Sequence, residues 1–283
     1  MSLNICITGM GLIGGSLARS LRLNGFTGRI TGVEVNPHHC TIAKYRGLAD
    51  EFLTLEEAVA KSDIIILAAP VDVNCRLLPE ILDMVAGTGK VVTDMGSTKA
   101  DIAAVADSHP ARGRFVAAHP MAGTEHSGPA AAVDRLFNDR VAIICDPDRS
   151  EEDALEKVTA LLQSFNMKIQ YMDSQQHDIH VAYVSHISHI TSFALALCVL
   201  DKEKDAANIL SLAAGGFEST VRLAKSSGET WAPIFTGNAG PLLEVIDTYI
   251  DKMLLFRQYI ETSNSEALRQ LMNSANSIGK ILK

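Results

Sequence analysis

Short runs of Val, Ile and other apolar residues recur through the first 172 residues, with amphipathic segments between them. LNICIT, RITGVE, DIIILAA, KVVTDM, RFVAA and VAIIC are candidate strands; KIQYMD follows the helical stretch EEDALEKVTALLQSF as one more. Several of these runs are apolar at successive positions, the pattern of strands buried on both faces. SLARSLRLNG and VNCRLLPEILDMVAG, lying between strands, space their apolar residues as helices do. This alternation predicts an α/β fold: a doubly wound parallel sheet covered by helices on both sides. After about residue 173 the strand pattern stops. QQHDIHVAYVSHISHITSFALALCVL, LLEVIDTYIDKMLLFRQYIET and SEALRQLMNSANSIGKIL repeat apolar residues at three and four positions. The chain therefore divides into residues 1–172 and an all-helical domain, 173–283. The helical pattern continues to Lys283, so no appended regulatory module is expected.

The first strand runs into GMGLIGGS, and a helical segment follows. Gly9, Gly11 and Gly14 fit G-x-G-x-x-G in the strand-to-helix setting that gives the motif its meaning. Gly9 permits a tight turn, Gly11 leaves room for a pyrophosphate, and Gly14 allows the helix close to the strand. The turn, with Leu12 and Ile13, then presents free N–H groups of the helix start to phosphates. Glu34 ends the second strand, about 20 residues beyond the last glycine, where an acid receives the ribose hydroxyls. A carboxylate there repels a 2′-phosphate, so NAD is expected over NADP in a Rossmann-type domain. Ala69 and Pro70, after DIIILAA, and Ser97, in DMGSTK, follow two further strands and are expected at the same crevice. Ser97 could equally cap the helix beginning near it.

Composition narrows the class. Hydrophobic residues make up 47% and charged residues 20%, as in a folded globular protein. The net charge of −8, without a Lys/Arg cluster, speaks against nucleic acid. IIILAAPV and FALALCVL are shorter than the roughly 20 residues of a membrane-crossing helix, so no span is expected. MSLNICITG lacks the basic region and cleavage site of a signal peptide. Cys6, Cys40, Cys75, Cys145 and Cys198 are odd in number and form no CxxC, which suits reduced thiols in a cytoplasmic protein.

The candidate chemistry gathers in HPMAGTEHSG, residues 119–128, just beyond RFVAA. A histidine titrates near neutrality and suits proton transfer, with His119 nearer the sheet than His126. His177, His180, His186 and His189 crowd one helix, but no HExxH occurs and no metal is expected. Arg222, in GGFESTVRLA, has the planar fork that grips a carboxylate; an ion pair with Glu218 is the alternative.

In order, GMGLIGGS, DMGSTK, HPMAGTEHSG, HDIHVAYVSHISH, GGFESTVRLA and a following Trp span nearly the whole chain. Together they resemble the prephenate/arogenate dehydrogenase family of tyrosine biosynthesis. The resemblance implies NAD-dependent oxidative decarboxylation of prephenate to 4-hydroxyphenylpyruvate. Arogenate dehydrogenase, or a dual-specificity cyclohexadienyl dehydrogenase, is the alternative on the same scaffold. By the same resemblance His119 is the catalytic histidine and Ser97 lies beside it and the substrate. Thr124, Ser127, His189, Arg222 and Trp231 line the substrate side. A homodimer through the helical domain is implied as well. Glu218 could sense the substrate's side chain, or simply sit in the first turn of a helix.

Overall fold

The computed structural model describes residues 3–205 and 209–281; Met1, Ser2, residues 206–208, Leu282 and Lys283 lie outside the described residues. The first domain runs β1 (Ile5–Thr8), α1 (Leu12–Leu23), β2 (Ile30–Val33), α2 (Pro37–Tyr45), β3 (Glu51–Phe52), α3 (Leu55–Lys61), β4 (Ile64–Leu67) and α4 (Val71–Val85). It continues through β5 (Val91–Asp94), α5 (Ala100–Asp107), β6 (Phe115–Pro120), β7 (Val141–Cys145), α6 (Glu152–Gln163) and β8 (Lys168–Met172). The strands form one eight-stranded sheet in the order β3-β2-β1-β4-β5-β6-β7-β8. Successive residues of the central strands enter opposite cores. Ile5, Ile7, Ile64, Ile66 and Val91 pack on one face, and Cys6, Ile65, Leu67 and Val92 on the other. Local chemistry sets several helix starts. Asn36 accepts from His38 and His39 ahead of α2, whose first residue is Pro37, and Thr54 and Glu57 form a capping box on α3.

The parallel expectation fails at one place. β7 runs antiparallel to β6 and then pairs parallel with β8. Residues 121–140 supply a loop between β6 and β7 in place of a crossover helix, so the chain returns beside β6 in the opposite sense. An unbroken apolar run such as VAIIC carries no signal of direction. Strand β3 escaped the sequence pattern because two residues cannot show a period.

The 121–140 loop is tied to the glycine-turn side of the domain. Arg46 donates to the carbonyls of Pro129, Ala130 and Ala132, the last at 2.9 Å. The Val133 N–H donates to Ser16 Oγ at 2.9 Å, and Arg19 pairs with Asp134. These bonds fix where HPMAGTEHSG passes.

The second domain holds α7 (Ser174–Val181), α8 (Ile187–Asp205), α9 (Gly215–Thr220), α10 (Gly228–Gly237), α11 (Ala239–Glu261) and α12 (Ser265–Ala275). A π-helical turn, Ala182–His186, joins α7 to α8. Helix α7 packs on α5, and α10 on α4, so the two domains meet along the strand ends of the sheet. Buried apolar residues in this domain's own core cluster are few: Ala182, Leu242 and Val245. Leu197, Leu200, Leu243, Ile250, Met253, Leu254 and Ile260 are exposed. The continuous helix Ser174–Lys204 is by length and composition apolar enough to cross a membrane, contrary to the sequence expectation. Reading its apolar runs piecemeal missed this. Its first half, however, carries buried polar groups packed against the first domain.

Candidate active site

The glycine turn has the geometry its spacing demands. Gly9 adopts φ +82°, and a Cβ there would lie 2.7 Å from the Ala69 nitrogen. A Cβ on Gly14 would meet the Gly9 carbonyl oxygen at 2.0 Å. Gly11, by contrast, faces open space and precedes α1 with no side-chain cap, leaving its first N–H groups available. Leu12 and Ile13, half-buried, open that helix. The Glu34 carboxylate is fixed at the same edge, accepting from Met10 N at 3.1 Å and Asn36 N at 2.9 Å. Ala69 is half-buried, and Pro70 is exposed ahead of α4.

His119 is the penultimate residue of β6, where buried apolar residues hold the backbone, and it is only 7% exposed. Its Nδ1 lies 2.8 Å from Nε2 of His177, on α7 of the other domain. His177 Nδ1 in turn lies 2.7 Å from Asp178 Oδ1. Beneath His119, the fully buried Lys99 donates to Asp94 and, at 2.9 Å, to the Ala118 carbonyl. Asp94 also accepts from Gly96 N and Ala118 N, so this buried ion pair is matched by further hydrogen bonds. Burial still pushes the Asp94 carboxyl above its ordinary value, with Lys99 opposing. Burial lowers His119 well below the usual histidine value, and the neighbouring His177 and the Lys99 ammonium lower it further. His119 is therefore a neutral imidazole at neutral pH.

Ser97 is half-buried in the loop after β5, and its hydroxyl has no hydrogen-bond partner within the described residues. It does not cap α5. Asp178 from the second domain does so, accepting from Lys99 N and Ala100 N at 2.8 Å each.

The second domain brings an aromatic and basic wall. His189 stacks on Trp231 with ring centroids 3.4 Å apart, and its Nδ1 donates to the Ser185 carbonyl at 3.1 Å. That bond leaves Nε2 as the bare nitrogen of the neutral ring. Burial lowers His189, and nearby Arg222 lowers it further. His186 packs edge-on to Trp231 and is pushed down to about 4 by burial. Asn238 Nδ2 donates to the Asp178 carbonyl at 2.7 Å and to His186 Nδ1 at 3.1 Å. Residues 177 and 186 are about two and a half α-helical turns apart and would face opposite ways on an uninterrupted helix. The intervening π turn changes that phase and lets both serve one junction.

Arg222 lies in a 3-10 turn after α9 and pairs with Glu125 of the HPMAGTEHSG loop at 2.7 Å. The sequence alternative, Glu218, sits exposed in the first turn of α9. Glu125 is half-buried. Its own backbone N–H, then Arg222, hold its carboxyl below the usual value. Thr124 Oγ1 accepts from His126 N within the loop, and Thr124, His126 and Ser127 are exposed. Among the described residues no three His, Cys, Asp or Glu side chains are grouped to hold a metal ion.

A nucleotide-type glycine turn and a neutral buried histidine thus lie at carboxyl ends of strands of one sheet, and the second domain meets the histidine through His177 and the 119–128 loop through Arg222. The model of the prephenate dehydrogenase nucleotide-binding domain matches residues 17–171, and that of the prephenate dehydrogenase dimerization domain matches 173–274. The chain belongs to the prephenate dehydrogenase family. A prephenate dehydrogenase of Bacillus subtilis is 31% identical over 96% of this chain and 74% of its own. The structure of Aquifex aeolicus prephenate dehydrogenase, in complex with hydroxyphenyl propionate and NAD+, superposes with a TM-score of 0.83. It is 27% identical and covers 99% of both chains. Synechocystis arogenate dehydrogenase, also 27% identical, gives a TM-score of 0.76 over 99% of this chain and 100% of its own. Within this prephenate dehydrogenase family fold, sequence reasoning missed Lys99, Glu125, His177 and Asp178. The adjacent His-Asp pair at the start of the second domain was the available signal for the last two.

Proposed function

We propose that the protein is an NAD-dependent prephenate dehydrogenase. The observation that carries this reading is His119, a buried neutral base at the carboxyl end of β6 in the sheet whose β1 leads into the glycine turn, with Arg222 on the other side of the 119–128 loop, in the second domain. Prephenate has a ring hydroxyl, a ring carboxylate and a side-chain carboxylate. His119 takes the hydroxyl proton as the carbinol is oxidised, and loss of carbon dioxide makes the ring aromatic. Gly9, Gly11, Gly14, Leu12, Ile13 and Glu34 would hold NAD, with Ala69, Pro70 and Ser97 bordering it; when bound, it supplies the hydride acceptor. Ser97, with no hydrogen-bond partner among the described residues, is the hydroxyl to orient the reacting group beside His119. Arg222, exchanging Glu125 for a substrate carboxylate, grips one anionic end. His189, Trp231, Thr124 and Ser127 complete the substrate side. Arogenate is the second reading, favoured by the likeness to the Synechocystis enzyme.

The test is turnover of prephenate with NAD and with NADP. NADH and carbon dioxide are expected in equal amounts, with kcat/KM at least tenfold higher for NAD, because the fixed Glu34 carboxylate repels a 2′-phosphate. Oxidation without carbon dioxide release contradicts the reaction; an NADP preference contradicts the role of Glu34.

We place the domain division after residue 172, since β8 ends at Met172 and α7 begins at Ser174. The exposed apolar side chains of α8 and α11 support a homodimer through the helical domain. Sedimentation at micromolar concentration should give twice the chain mass of 30.4 kDa; a monomer mass contradicts this. The five free cysteines support a reducing, cytoplasmic setting. Cys6 and Cys145 are buried, and burial pushes both thiols up to about 12.

A further inference from the structure

His119 reaches the second domain through a single chain of hydrogen bonds, and each link dictates the next. Asp178 Oδ1 accepts from Lys99 N and Oδ2 from Ala100 N, both at 2.8 Å. Two backbone donors at the start of α5 mark Asp178 as an ionised carboxylate. A carboxylate can only accept, so the proton of its 2.7 Å contact with His177 sits on His177 Nδ1. Neutral His177 then has a bare Nε2. Its 2.8 Å contact with His119 requires His119 Nδ1 to carry the proton. The bare nitrogen of His119 is Nε2, on the ring's other side. His177 and Asp178 are fully or almost fully buried, so water does not compete for these bonds. The other groups facing them are also fixed. The Lys99 ammonium is committed to Asp94 and the Ala118 carbonyl, and Asn238 holds the Asp178 backbone and His186.

We propose that His177 and Asp178 are the positioning residues of the base. Acting from the second domain, they lock His119 in the Nδ1–H tautomer and leave Nε2 to receive the substrate proton. This rests on the reading of His119 as the base. In the proton step the substrate O–H bond breaks and an N–H bond forms at His119 Nε2. The Nδ1–H stays bonded to His177, and the new positive charge faces Asp178 through that ring. Because Asp178 also caps α5, the helix that follows the Ser97 loop, one carboxylate sets both the base and that loop. Misplacing the two domains would therefore disarm the proton acceptor while leaving the nucleotide site intact.

The test compares His177→Met, which removes the acceptor, with His177→Gln, whose Oε1 can stand near the position of Nε2. With the full-length enzyme, kcat of His177→Met should fall about 100-fold, the scale of a positioned base. KM and NAD affinity should change little, and the acid limb of the pH profile should move. His177→Gln should recover at least tenfold of the lost kcat. Nitrogen NMR of the free enzyme should show His119 protonated at Nδ1 in the wild type and a changed tautomer population in His177→Met. Wild-type kcat and pH profile in His177→Met would overturn the proposal. So would equal losses in both variants with unshifted pH profiles and lowered Tm, the mark of a purely structural role. The NMR arm needs no turnover: an inactive wild type with the stated tautomer would refute the assigned reaction, whereas a wild-type His119 protonated at Nε2 would refute the relay.

Discussion

His119→Asn should lower kcat by about 10³ while leaving NAD affinity within a few-fold of the wild type. A positioned base is worth about 10²–10⁴ in rate, and His119 is the buried imidazole at the carboxyl end of β6. Asparagine separates the two jobs of this side chain. Its amide can still donate toward His177 Nε2, as His119 Nδ1 does across 2.8 Å, so the domain junction is kept. Nothing in the new side chain stands where Nε2 stood, so the proton acceptor is lost. The pH profile gives a second check. Burial first, then His177 and Lys99, lower His119 well below 6.5. A base works only when neutral, so wild-type activity should persist as pH falls past 6.5 and decline only on approach to the lowered value. Retention of wild-type kcat in His119→Asn would mean that another group takes the proton.

Arg222→Gln should lower kcat/KM by about 10- to 100-fold, chiefly through a raised KM. A hydrogen bond to a charged group contributes about 1.5–3 kcal/mol, and Arg222 is half-exposed, which favours the lower part of that range. The loss has a second source. Arg222 is the partner of Glu125, 2.7 Å away on a half-buried carboxylate. Removing the guanidinium leaves Glu125 as an uncompensated negative charge beside a doubly anionic substrate. Arg222→Lys should fall between the two, since an ammonium keeps the charge but not the two-pronged geometry. Steady-state kinetics at saturating NAD distinguish these outcomes. An unchanged KM in Arg222→Gln would place the carboxylate grip elsewhere.

The parts of this molecule that were legible in the sequence are those whose cause is local. The glycine spacing of residues 9–14 reports a turn, a helix start and a close backbone approach, and all three occur within that segment. The apolar runs report strands because each is buried by its own composition. What stayed hidden depends on partners far along the chain. The direction of β7 is set by the loop 121–140, not by VAIIC itself. Asp178, 78 residues from Ala100, takes the capping role that local spacing offered to Ser97. Arg222 finds Glu125 across 97 positions rather than Glu218 four residues away. The contact between His119 and His177 joins two domains, and neither residue's neighbourhood in sequence announces the other. The histidines of the segment 177–189 divide their work: His177 toward the base, His186 on Asn238, and His189 against Trp231.

The most direct test is the rate of NADH formation by the purified full-length protein, measured separately with prephenate and with arogenate. Turnover with prephenate is expected at a higher kcat/KM than with arogenate. Turnover with arogenate alone would reverse the substrate assignment, and no NADH with either substrate would contradict the proposed dehydrogenase activity.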